Sequence, residues 1–142
     1  MKTLKIQTLE KGWHDRDNIL LHAAFQTLVD FMEKEHPDKT VDWSWDETHS
    51  KAWKEIKSLY KWWKKTRPAR VDTLNDKTIK VPPYKFELIP GTNSRKVIQP
   101  DKKKYADYYK AMKKSSKLEQ KWFEEDQRNL HQLIEIRPFL WT

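Results

Sequence analysis

Five of the seven prolines in this 142-residue chain (Pro68, Pro82, Pro83, Pro90 and Pro100) fall between residues 67 and 100. Proline removes a backbone donor, clashes with the preceding turn and pushes the residue before it out of the helical region. Long helices are therefore confined to the two sides of that stretch. The first helix is expected from Asp15 to Glu35. It places Leu21, Ala24, Phe25, Leu28 and Met32 at the i, i+3, i+4, i+7 spacing of one buried stripe. Asp15 or Asp17 is its expected cap and Pro37 its stop. The second runs from about Trp45 to Thr66, with Ser44 and Glu47 reading as a capping box. Its stripe is Ala52, Trp53, Ile56, Leu59, Tyr60 and Trp63, and Arg67-Pro68 ends it. The last runs from Asp101 to Arg137 and stops at Pro138, and Ser115-Ser116 at seam positions predict a kink or break.

The intervening stretch has strand-like runs at Thr78–Val81 and Tyr84–Ile89. The turn signal Pro90-Gly91-Thr92-Asn93-Ser94 then precedes Lys96-Val97-Ile98, which predicts a hairpin or flap. Residues 1–12 read as an arm with one short strand at Leu4-Lys5-Ile6, closed by Gly12. The expected fold is mainly α. It is a three-helix bundle, or a four-helix bundle if the last helix breaks, in a single domain with the Pro-rich segment 67–100 inserted. That length holds a real core without staples.

The absence of cysteine excludes a disulfide framework, thiolate metal sites and a Cys nucleophile. With two glycines there is no phosphate loop and no dinucleotide fingerprint. No apolar run is long enough to span a membrane and none at the start reads as a signal peptide, so a cytoplasmic location is expected. Lys and Arg exceed Asp and Glu by 29 to 21, which favours anionic partners. Acids prevail from Asp30 to Glu47, and bases dominate Lys51–Arg70 and Lys102–Lys121.

Eight tryptophans is a high number for this length. Some must be core, but Trp13 beside His14-Asp15-Arg16, and Trp62-Trp63 among Lys61, Lys64 and Lys65, suit a nucleobase with its phosphates. Helical spacing also puts Asp15, Asn18, His22, Gln26 and Glu33 on one stripe beside the apolar face. If three helices pack by their apolar faces, His22, Glu33, His49, Glu119 and Asp126 line one seam, with His49 and Arg16 the natural partners of Asp126. Such a seam is either a network fixing helix register or a pocket between helices. The Glu-x-x-His pairs of di-iron bundles and the paired acidic motifs of helical nucleotide pyrophosphohydrolases are missing, so no metal and no cofactor are expected.

Gly12-Trp13-His14-Asp15-Arg16-Asp17, Leu21-His22-Ala23-Ala24-Phe25-Gln26, His49…Ala52-Trp53, Leu59-Tyr60…Trp62-Trp63, Arg67-Pro68…Arg70 and Leu140-Trp141-Thr142 together resemble a family of small tailed-bacteriophage proteins of unassigned activity. The resemblance implies expression in an infected bacterial cytoplasm. It also implies work in host takeover or anti-defence, where some phage proteins sequester nucleotide signals and others block nucleases or bind DNA. That is an analogy of class and assigns no site.

The expected function is a non-enzymatic binder of a small anionic, nucleotide-like ligand. Trp13, His14, Arg16, His22, His49, Trp53, Lys61, Arg67, Arg70 and Asp126 would line its site. Phe139-Leu140-Trp141 would dock on the bundle or on a second subunit of a homo-oligomer. The alternatives are an inhibitor of a host or defence protein, and a nucleic-acid binder using Lys57, Lys61, Lys64, Lys65, Arg67 and Arg70. A metal-dependent nucleotide hydrolase built on His49 and the Asp126 seam is the remaining one.

Overall fold

A computed structural model describes residues 3–141. It is 60% helical, with four helices and one two-stranded antiparallel sheet, as expected of a mainly α chain with an inserted hairpin. Helix α1 spans Arg16–Lys34. Asp15 is its N-cap by backbone conformation, but its side chain makes no capping hydrogen bond. His36 adopts a left-handed conformation at φ 50°, and Pro37 opens the short helix α2, Pro37–Thr40. Proline is tolerated in a first turn because its missing N–H has no helical partner there.

Helix α3 spans Glu47–Lys61. The expected capping box at Ser44 does not form. Ser44 donates its N–H and its hydroxyl to Asp42 Oδ1, at 3.0 and 2.6 Å. This local turn competes with helix initiation. Asp46 caps instead, accepting the His49 N–H at 2.7 Å. Beyond Lys61 the chain widens into a π-turn, Trp62–Thr66, and the Arg67 N–H donates to Trp62 O. A 3-10 turn, Arg67–Ala69, then leads out at Arg70.

The chain divides into two compact units. The first comprises residues up to Arg70 and from Phe123 onward; the second is Val71–Trp122. The core of the first unit joins Leu21, Phe25, Leu28, Val29 and Phe31 of α1 to Ile56 and Leu59 of α3. Trp43, Trp62, Trp63, Leu133 and Ile136 complete it. Phe25 lies flat on Trp63 with ring centres 4.5 Å apart. Leu4-Lys5-Ile6 is not a strand. The arm is tied to the polar stripe of α1: the Gln7 N–H donates to Gln26 Oε1 at 3.0 Å, and a 2.6 Å hydrogen bond joins Thr8 Oγ1 to His22 Nδ1. Gln26 in turn donates to Asp30, which pairs with Lys34.

In the second unit, β1 (Lys85–Leu88) pairs antiparallel with β2 (Arg95–Ile98), Phe86 opposite Val97 and Leu88 opposite Arg95. Thr78–Val81 is not a strand. Gly91, at φ +77°, supplies the left-handed residue of the connecting turn. Helix α4, Ala106–Ile136, is continuous for 31 residues. The expected break at Ser115-Ser116 is absent. Ser115 is buried and its hydroxyl donates to Asp72 Oδ1 at 2.8 Å, so the polar seam position is satisfied from outside the helix.

Candidate functional site

The expected site residues separate into distinct places. His22, Arg67, Arg70 and Asp126 come together, because the π-turn and the 3-10 turn after it carry both arginines to α4. Arg67 grips Asp126 with two hydrogen bonds of 3.1 Å, a fork geometry that only a guanidinium provides. Arg70 donates to the same carboxylate at 2.8 Å and lies 3.3 Å from Glu125. The guanidiniums sit over aromatic faces, Arg67 on Trp63 at 4.9 Å and Arg70 on Trp62 at 5.7 Å. The Trp62 indole N–H donates to Glu125. Two cations thus face two carboxylates, which leaves this half-buried cluster with no net charge for an incoming anion. The partners expected for Asp126, His49 and Arg16, are corrected here to Arg67 and Arg70.

His22 packs edge-on to Trp63, ring centres 4.9 Å apart. Burial first, and then the positive charge of Arg67, push its pKa down to about 4, with Asp126 opposing. It is a neutral ring at physiological pH.

The single seam of five polar residues does not exist as one network. Glu33 accepts from Tyr60 at 2.7 Å and pairs with Lys64, and these hydrogen bonds hold its carboxyl below the ordinary range. His49 turns to Asp46, Nδ1 to Oδ1 at 2.8 Å. Glu119 is exposed on α4. His22, Glu33, His49 and Asp126 each meet different partners, and only the His49–Asp46 pair is local in the chain. Among the described residues no three His, Asp or Glu side chains converge to hold a metal ion. Trp13 is 84% exposed, and Arg16 and Lys61 are exposed as well. His14 Nε2 hydrogen-bonds Glu10 O at 2.7 Å. The basic row expected on α3 is largely engaged: Lys64 by Glu33, Arg67 and Arg70 by Asp126, and Lys57 by the Trp53 face at 5.4 Å.

His49 and Trp53 belong to a second place in the first unit. Trp43 stacks on Trp53 at 4.8 Å and donates its indole N–H to Pro37 O at 2.8 Å. His49 stands edge-on to Phe139 at 5.4 Å. In front of these rings lies a cavity of about 460 Å³, lined by Thr40, Val41, Asp42, Trp43, Trp45, His49, Phe139 and Trp141. Sequence reasoning missed Trp43, Trp45, Phe139 and Trp141 as one wall. The available signal was a Trp-x-Trp pair inside the acidic run, but nothing in the spacing shows that the segment after Pro138 returns to it.

The second unit holds most of the excess charge. Val71–Trp122 carries 13 Lys and Arg against 6 Asp and Glu, a formal +7 of the total +8. Lys110, Lys113, Lys114, Lys117 and Lys121 recur at steps of three, one, three and four, so they fall in one sector of α4, and all five are exposed. The buried positions Ala111 and Ser115 lie in another sector. On the hairpin, strand alternation puts Phe86, Leu88, Val97 and Arg95 on one exposed face.

No family model, no curated protein and no solved structure matches this chain. No helix of the described residues is long and apolar enough to cross a membrane.

Proposed function

We propose that this protein is a non-enzymatic nucleic-acid binder that engages the phosphate backbone through its second unit. The observation that carries the reading is the lysine stripe Lys110, Lys113, Lys114, Lys117 and Lys121, exposed along one side of α4. From Lys110 to Lys121 a helix rises about 17 Å. A duplex carries about ten phosphate charges over that length. The small-nucleotide reading leans on Arg67 and Arg70, whose charges are already met by Asp126 and Glu125. A free row of ammonium groups suits an extended polyanion better than a single small one. The hairpin adds a two-stranded ribbon of the width that a major groove admits, with exposed Phe86 and Arg95 on one face. In the tailed-phage setting that the resemblance implies, such a protein would cover DNA or RNA during host takeover.

The test is fluorescence anisotropy with a labelled duplex over a series of salt concentrations. Five phosphate contacts predict a log–log slope of about −4 to −5. Replacing Lys113, Lys114 and Lys117 together by Gln should flatten the slope by about 3. No binding at low salt, or a slope that the triple variant leaves unchanged, refutes the reading.

A further inference from the structure

We infer that the cavity of the first unit is a binding site for a small organic ammonium cation, held on the aromatic wall of Trp43, Trp45, Phe139 and Trp141 with Asp42 at its edge. The cavity, about 460 Å³, lies within the size range of small-molecule sites. Its back wall is fixed before any ligand arrives. Trp43 is clamped between the Trp53 face and Pro37 O. His49 is held at two points by one oxygen of Asp46, through its N–H at 2.7 Å and its ring at 2.8 Å.

The rim is different. Trp45 and Trp141 line the cavity while 78% and 74% exposed. Exposed indole faces gain from a partner that is apolar, cationic or both, because the ring quadrupole attracts positive charge.

Charge selects among such partners. The chain as a whole is strongly basic, yet residues 38–47 carry Asp38, Asp42, Asp46 and Glu47 against Lys39 alone. Asp42 lines the cavity itself. Its carboxylate accepts the Ser44 N–H and hydroxyl, which keep its pKa below the ordinary range, so it stays ionised at neutral pH. An anion entering here meets the Asp42 carboxylate. An ammonium group meets aromatic faces and a nearby negative charge, the two features that recognise such cations. The site shares no residue with the lysine stripe of α4.

The experiment titrates the full chain with choline and, separately, with dimethylbutanol, its uncharged carbon isostere of the same shape. Binding is followed by the indole N–H resonances of Trp45 and Trp141. Choline should move both, with an affinity about five- to tenfold above that of the isostere, the range expected of a partly desolvated cation–π contact. Trp141→Ala should lose most of that binding, and Asp42→Asn should weaken choline without weakening the isostere. Both residues are exposed, so unchanged circular dichroism is expected of the variants. Equal affinity for choline and its isostere overturns the proposal. So does a shift of the same resonances by adenosine monophosphate at lower concentration than by choline.

Discussion

His22 makes the stability of the first unit depend on pH, mostly above the range in which carboxylates titrate. The ring is buried against Trp63 and faces Arg67, Asp126 and His14, and its pKa falls from the ordinary 6.5 to about 4. Between those values the unfolded chain takes up a proton that the folded chain refuses. Stability therefore rises with pH across the window. It is complete above 6.5, is lost as pH falls, and levels off below about 4. The full loss is about 3 kcal/mol, and about 2 kcal/mol of it falls between about pH 7.5 and about pH 5. Urea denaturation followed by tryptophan fluorescence reads it well, since seven of the eight tryptophans lie in this unit. Holding the lower limit at about pH 5 keeps the assay above the ordinary carboxylate range, so Asp30 and Glu33, held below that range in the fold, are mostly ionised in the unfolded chain too and add little to the change. His22→Gln should abolish most of the pH dependence while leaving the urea slope unchanged. If the wild-type chain is equally stable at both pH values, or the variant loses as much on acidification, His22 is not the buried neutral ring described here.

Asp126→Asn should cost about 2 kcal/mol in the same denaturation assay, because it removes the charge to which both Arg67 and Arg70 hydrogen-bond. The same variant should lower the His22 pKa further, since Asp126 is the charge that raises it, and a proton NMR titration would show this. In the second unit, Ser115→Ala removes the hydrogen bond to Asp72 and should cost about 1 kcal/mol. Faster amide exchange around Thr73–Asn75, the turn that Asp72 caps, would report it.

Apolar spacing located the helices because burial imposes it. Phe25, Leu28, Ile56 and Leu59 all became core, and Pro90–Ser94 did mark the hairpin turn. What spacing could not reveal was which polar group meets which. Asp126 pairs with Arg67 across 59 positions, and it does so only because the helix widens into a π-turn after Lys61. No residue preference in Trp62–Thr66 signals that widening. The capping box misled for a local reason, since Asp42 captured Ser44 before it could cap. Ser115 was read as a weakness because its partner, Asp72, lies 43 positions away. Of the candidate site residues, those with local partners were legible in kind. The aromatic cavity was not, because Phe139 and Trp141 reach it from the far end of the chain.

The order of the two units along the chain has a consequence for synthesis. Val71–Trp122 is an excursion between two halves of one core, and the Arg70–Asp126 ion pair joins the halves across 56 positions. Leu133 and Ile136 reach the ribosome exit only after the whole excursion has been made. At ordinary elongation rates that is a delay of several seconds, far longer than helix formation. During it, α1 and α3 hold Phe25, Ile56 and Trp63 without their last covering helix. The nascent first unit therefore keeps part of its apolar core uncovered until Phe123 and the residues beyond it arrive, and closing the excursion is the step that completes it.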